Sequence, residues 1–170
     1  MFKKIMLGML VVMSLTGSLL AATLTPTQKA SLLFMYQEEK VARDVYITLS
    51  KQYPTATTFS NILLSEQSHM DAVEKLCIKY GVDIANVNEA EVGVFVLPEL
   101  QALYNTLVIQ GSVSLLEGQK VGVLIEQKDI TDILAAEVGM PSDVVKVFEN
   151  LRAGSYSHLD AFNKAVAALL

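Results

Sequence analysis

Helical periodicity is the strongest constraint that this sequence places on its fold. Four segments repeat apolar side chains at every third or fourth position, the spacing of one face of an α-helix. They cover residues 25–53, 57–80, a stretch that begins at residue 112 or 114 and runs to about 138, and residues 142–170. No segment alternates apolar and polar residues as a β-strand would. We therefore predict an all-α chain.

The connections between these segments predict how the helices are joined. Pro54 ends the first segment, Gly81 is placed to cap the second, and Gly139 and Pro141 separate the last two. Residues 82–96 have no helical period, and the short helical stretch "LPELQALYNTLVIQG" follows them. This pattern favours a four-helix bundle with one long crossover that carries an extra short helix, within a single domain over residues 26–170.

The first 22 residues have the pattern of a secretory signal peptide. Lys3 and Lys4 precede an apolar run, and Ala21 and Ala22 provide the small residues expected before a cleavage site. A retained membrane anchor is the alternative, but polar residues interrupt the apolar run and no charged stop-transfer segment follows. We expect a periplasmic or secreted protein with no stable membrane anchor after cleavage.

Charge and cysteine content exclude some classes of function. Removal of the leader takes away two lysines and moves the formal net charge from −5 to about −7. The mature chain has no basic cluster, so nucleic acid is not expected as a partner. The single cysteine, Cys77, has no partner for an intrachain disulfide, and its place on an apolar stripe predicts a buried thiol.

Each long helix carries a carboxylate or imidazole on the stripe that it should bury. A buried carboxylate without a partner is costly, and it usually becomes protonated or binds a cation. Glu39 and His69 lie about equally far from the first short loop, and Glu126 and Ser155 are placed similarly around the second. Antiparallel packing would bring these polar positions to one layer. The predicted ligands are Glu39, Glu66, His69, Glu126 and His158.

The spacing of these residues points to a metal centre. Glu66 and His69 are three residues apart and share a helix face, so they can bind one ion together. Oxygen and nitrogen donors of this kind suit iron or manganese. In di-metal carboxylate bundles two helices give one Glu each and two give Glu-x-x-His. Glu39, the Glu66–His69 pair and Glu126 supply three of these four contributions.

The fourth contribution differs, because the last helix has Ser155-x-x-His158 in place of Glu-x-x-His. A serine does not bridge two ions as a carboxylate does. Asp129, one turn after Glu126, is an alternative source of the missing oxygen. Otherwise the second position binds weakly, so the sequence leaves one or two ions per chain open.

Two resemblances accompany this pattern. "EEKVARDVY" is similar to the first metal-binding helix of rubrerythrins, with Glu39, Ala42, Arg43 and Tyr46 at the matching positions. Across about residues 30–165 the chain resembles the uncharacterised, ferritin-like domain of unknown function 2202 family. The stretches that carry this resemblance are "EEKVARDVY", "SEQSHM", "LQALYNTLVIQGS", "IEQKDI" and "GSYSHLDAF". It implies a ferritin-like fold and a di-metal centre, but no settled reaction.

Plainer interpretations apply to several residues near these ligands. Arg43 lies four residues after Glu39 and could neutralise it without a metal. Glu38 lies off the apolar stripe, so we expect it to face solvent. Tyr36 and Tyr46 share the stripe of Glu39, and packing is favoured over a role in orienting a ligand or relaying electrons.

The leading functional hypothesis is an exported ferritin-like iron or manganese protein with oxidase or peroxidase activity towards oxygen or peroxide. The sequence assigns no residue a catalytic role. A metal-binding or sensing protein without turnover is the second hypothesis, and a structural bundle with a degenerate site is the third. A homodimer is compatible with all three.

Overall fold

The computed structural model describes residues 23–170, which form five α-helices and no strand. The predicted signal peptide lies outside these residues. None of the helices described combines the length and apolar character that a membrane span requires. The all-α prediction is confirmed, and so is the short helix that follows the crossover. The helices are α1 (Pro26–Gln52), α2 (Thr57–Tyr80), α3 (Pro98–Gly111), α4 (Leu115–Ala136) and α5 (Ser142–Ala167).

Local sequence signals set several of the helix ends. The Thr25 side chain accepts a hydrogen bond from the Gln28 backbone N–H, and the Gln28 side chain accepts one from the Thr25 backbone N–H. Ser114 caps α4 by accepting from the backbone N–H of Glu117. Gly81 ends α2 in the left-handed conformation, with φ of 62°, which glycine adopts without steric cost.

The four long helices pack as two pairs around a layered interior. α1 packs mainly on α2, and α4 mainly on α5, while α3 lies across α1 and α4. One apolar cluster includes Tyr46, Phe59 and Phe162, and the other includes Met70 and Phe148. Along α2 and α5, the predicted ligand positions fall between residues of the two clusters. A polar layer therefore separates two apolar layers.

A buried ion pair on α1 binds the backbone of the crossover. Lys40 and Asp44 have fully buried side chains with Nζ 2.5 Å from Oδ2. Lys40 Nζ also donates to the carbonyl oxygens of Glu91 at 2.8 Å and Val94 at 3.2 Å. The backbone N–H of Gly93 donates to Asp44 Oδ2 at 2.9 Å. The side chains of α1 thus replace the backbone partners that the irregular crossover lacks.

We predict that Asp44→Asn lowers the free energy of unfolding by about 3 to 5 kcal/mol, because it leaves the buried Lys40 ammonium without its counter-charge. The Asp160→Asn substitution is the matched control, since Asp160 pairs with Lys164 on the surface. That control should lose less than about 1 kcal/mol. Urea unfolding monitored by circular dichroism measures both values, and equal losses would contradict a structural role for the buried pair.

Candidate metal centre

The polar layer brings together side chains from all four long helices. Five predicted ligand side chains lie in this layer, and each has at most 8% of its surface exposed. α1 provides one of them, α2 two, and α4 and α5 one each. They are Glu39, Glu66, His69, Glu126 and His158.

These side chains form two groups of three that share Glu66. In the first group, His69 Nδ1 lies 3.2 Å from Glu39 Oε2 and 3.0 Å from Glu66 Oε2. In the second, His158 Nδ1 lies 2.8 Å from Glu66 Oε1 and 3.4 Å from Glu126 Oε2. Glu66 thus contributes one oxygen to each group, as a carboxylate that bridges two ions would.

Hydrogen bonds within the layer leave several of these atoms unsatisfied. Of the four short contacts, only that between His69 and Glu39 also has the geometry of a hydrogen bond. Glu39 Oε1, Glu66 Oε1 and His158 Nδ1 are buried without a hydrogen-bond partner. The ligand atoms of each group nevertheless lie within 4.8 Å of one another. Buried polar atoms that converge with few hydrogen bonds among them are an arrangement that a cation would satisfy.

Lysine and arginine do not neutralise this layer. The ion pairs in residues 23–170 join neither type of side chain to Glu39, Glu66 or Glu126. Arg43 instead donates to Asp44 at 2.8 Å and to the carbonyl of Glu89 at 2.7 Å. The interpretation of Arg43 as the partner of Glu39 is therefore wrong, because the crossover engages the guanidinium.

The pKa values of the layer reflect mutual stabilisation of buried charges. Burial lowers the pKa of both imidazoles, but the adjacent carboxylates raise it to about 11 for His69 and about 9 for His158. Burial raises the pKa of Glu39 and Glu126 to about 8. Burial also acts on Glu66, but the two imidazoles outweigh it and lower that pKa to about 2. A metal ion that binds at Nδ1 of either imidazole must displace a proton.

Tyr46 orients one carboxylate of the layer. Its hydroxyl donates to Glu126 Oε1 at 2.6 Å, which leaves Oε2 on the side of His158. Its ring packs on Phe162 with centroids 5.1 Å apart. The favoured interpretation of Tyr46, packing with a hydrogen-bonded hydroxyl, agrees with these contacts, and the partner of the hydroxyl is a candidate ligand. Tyr36 donates to Glu89 in the crossover and makes no such contact.

Ser155 on α5 occupies the Glu position of the second Glu-x-x-His, and Asp129 on α4 is the alternative source of that oxygen. Ser155 Oγ donates to Asp129 Oδ2, and Asp129 Oδ1 is buried without a partner. Asp129 belongs to neither of the two groups that converge on Glu66. Its pKa is raised well above the usual range, first by burial and then by the nearby charge of Glu39. Asp129 therefore stands outside the two groups, with one oxygen bonded to Ser155 and the other without a partner.

Sequence reasoning missed the role of Gly154. A Cβ atom at this position would lie 2.5 Å from His69 Nε2, so α5 approaches the imidazole closely only because the residue is glycine. An isolated glycine inside a helical pattern, four residues before His158, was the available signal.

Glu38 is a correction to the sequence analysis. It was expected in solvent but is only 6% exposed, and its Oε1 accepts from Lys128 at 2.7 Å. The reason is that residues 35–46 are buried on every face of α1. The neighbouring helices cover one side of this stretch, and the crossover and α3 cover the rest.

Comparison with known proteins places the chain in a family. The family described as "Uncharacterized protein domain (DUF2202)" matches residues 28–168. The chain belongs to the DUF2202 family. It is 40% identical over 147 residues to "Uncharacterized protein MJ0754" of Methanocaldococcus jannaschii, which covers 86% of this chain and 78% of that protein.

A solved structure supports the same DUF2202 relationship. The structure entitled "Crystal structure of hypothetical protein MJ0754 from Methanococcus jannaschii DSM 2661" superposes with a TM-score of 0.83 at 38% identity. The superposition covers 89% of this chain and 86% of that one. The DUF2202 resemblance inferred from the sequence is confirmed.

We predict that Gly154→Ala weakens metal binding by about tenfold or more, because the added methyl group displaces the His69 imidazole. Alanine favours a helix over glycine by about 1 kcal/mol, so a weaker α5 would not account for the loss. Calorimetric titration with Mn²⁺ measures the affinity. The Ser157→Ala variant changes an exposed residue on the same helix and should bind like the wild type. Equal affinities in the two variants would contradict this role for Gly154.

Proposed function

We propose that this DUF2202 protein is a ferritin-like four-helix bundle that binds iron or manganese in its polar layer. The observation that carries the proposal is the placement of Glu66, which gives one carboxylate oxygen to each of two carboxylate–imidazole groups. Glu39 and His69 would complete the first position, and Glu126 and His158 the second.

The donor set fits these metals. Carboxylate oxygens and imidazole nitrogens are ligands that iron and manganese accept, whereas zinc and copper sites more often include softer donors. The unpartnered atoms of Glu39, Glu66 and His158 are the ones that ligation would satisfy. Occupation by two ions is favoured by the shared Glu66, and occupation by one is favoured by Ser155, which replaces a bridging carboxylate.

The proposed reaction is oxidation of a ferrous centre by peroxide or oxygen. Bound iron would supply a one-electron couple that such oxidants can reach. The residues of the chain supply the setting: Tyr46 fixes the orientation of Glu126, Ser155 holds one oxygen of Asp129, and the two apolar clusters limit access of water. Enzymatic turnover rests on analogy with other ferritin-like proteins.

A binding or sensing protein without turnover is the second candidate, and Ser155 favours it over an enzyme because a missing bridge weakens the second position. A structural bundle with a degenerate site is the third. We also propose export to the periplasm or the exterior, on the basis of the leader in residues 1–22. A homodimer remains compatible with each candidate.

We predict that Glu66→Gln abolishes metal binding at both positions, because one carboxylate serves both groups. Glu74→Gln, the same substitution on the same helix outside the polar layer, should retain the metal. Elemental analysis after loading with Fe²⁺ or Mn²⁺ gives the stoichiometry, and anomalous scattering from crystals identifies the ion and its ligands. Wild-type metal content in Glu66→Gln would refute the assignment.

We further predict that the ferrous protein is oxidised by hydrogen peroxide faster than free Fe²⁺ and through repeated turnovers when a reductant is supplied. Stopped-flow absorbance of the wild type and Glu74→Gln, with Glu66→Gln as the negative control, measures the rate. A wild-type protein that binds iron but oxidises it no faster than solution would support the non-catalytic candidate instead.

A further inference from the structure

A cavity of about 290 Å³ lies between α1, α3 and α4. Its volume is about twice that of an engineered cavity of ~150 Å³ that holds benzene, so it has room for a molecule of about ten non-hydrogen atoms. Each of the three helices contributes two apolar side chains to its wall. These side chains are Val41, Ala42, Leu103, Leu107, Leu124 and Ile125.

The charged residues of the lining offer no polar atom to a molecule inside the cavity. The Lys128 ammonium pairs with Glu38 Oε1 at 2.7 Å and with Asp132. Asp129 Oδ2 accepts a hydrogen bond from Ser155. The remaining oxygens, Glu38 Oε2 and Asp129 Oδ1, are buried and have almost no accessible surface. The surface that faces the cavity is therefore hydrocarbon.

The wall that α4 contributes to the cavity is close to solvent. Leu124 is 46% exposed and the Lys128 side chain 39%, whereas Val41 and Ala42 on α1 are buried. Exposed side chains change rotamer within nanoseconds, so a molecule that enters beside Leu124 need not displace a helix. The cavity can therefore exchange its contents with solvent in the folded protein.

We propose that the cavity binds a small hydrocarbon, an aromatic or short-chain molecule without hydrogen-bonding groups. Transfer of its apolar surface from water to the apolar wall favours binding. A hydroxyl, amine or carboxylate would give up its hydration and find no partner on this wall, so polar molecules are disfavoured. Water is disfavoured for the same reason, since cavities lined by apolar side chains stay dry. This site requires no metal and goes beyond the proposed function.

The test uses the metal-free protein, so its result does not depend on the metal assignment. Titration with toluene, followed by ¹H–¹⁵N correlation spectra, should shift resonances of residues around the cavity in a saturable manner. p-Cresol, which has the same shape with one added hydroxyl, should bind at least about tenfold more weakly because that hydroxyl is buried without a partner. Absence of saturable shifts with toluene, shifts centred elsewhere, or p-cresol binding as tight as that of toluene would overturn the proposal.

A matched pair of variants locates the binding. Leu124→Trp places a large ring in the outer wall of the cavity and should weaken toluene binding by about tenfold or more. Leu134→Trp makes the same change at a residue of similar exposure on the same helix, 44% against 46%, that does not line the cavity. It should bind toluene like the wild type. Both positions are exposed, so neither change threatens the fold, and equal affinities in the two variants would overturn the location.

Discussion

The deficit of positive charge in the buried polar layer is the constraint on which the rest of the structure depends. Four buried carboxyl groups and two imidazoles lie in this layer, with an apolar cluster on either side. Such a layer folds only if carboxyl groups become protonated or a cation joins them. The protonated imidazoles offset part of the charge in the metal-free chain. A metal ion would replace their protons, so binding and stability are coupled through the same atoms. The carboxyl groups are those of Glu39, Glu66, Glu126 and Asp129.

The two ligand groups have the same donors, two carboxylates and one imidazole each, but they differ in their neighbours. The Ser155 hydroxyl, one turn before His158, donates to Asp129. Asp129 belongs to neither group and lines a cavity between α1, α3 and α4. In the group that contains Glu126, the Tyr46 hydroxyl donates a hydrogen bond to that carboxylate. The imidazoles of the two groups are equally buried, each with 8% of its surface exposed.

The sequence predicted the helices and the convergence of the ligand positions because both depend on local periods and on counting from short loops. Glu66 and His69 could be paired from their spacing alone. The burial of Glu38 could not be predicted from the sequence, because it depends on where α3 and the crossover lie against α1. Residues 82–96 contain no helical period from which that path could be predicted. Gly154 carried a weak signal, but only the distance to His69 shows that the absence of a side chain makes room for the ring.

The side chains of the stretch "EEKVARDVY" on α1 contact both the polar layer and the crossover. Glu39 and Tyr46 face the polar layer, whereas Lys40 and Asp44 bind the crossover on another face. Lys40 and Asp44 lie between Glu39 and Tyr46 along the helix, so a shift of α1 along its axis would disturb both sets together. The crossover, in turn, delivers α3 to the face of α1 where the cavity forms. The geometry of the polar layer, the path of the crossover and the shape of the cavity therefore all depend on the position of one helix.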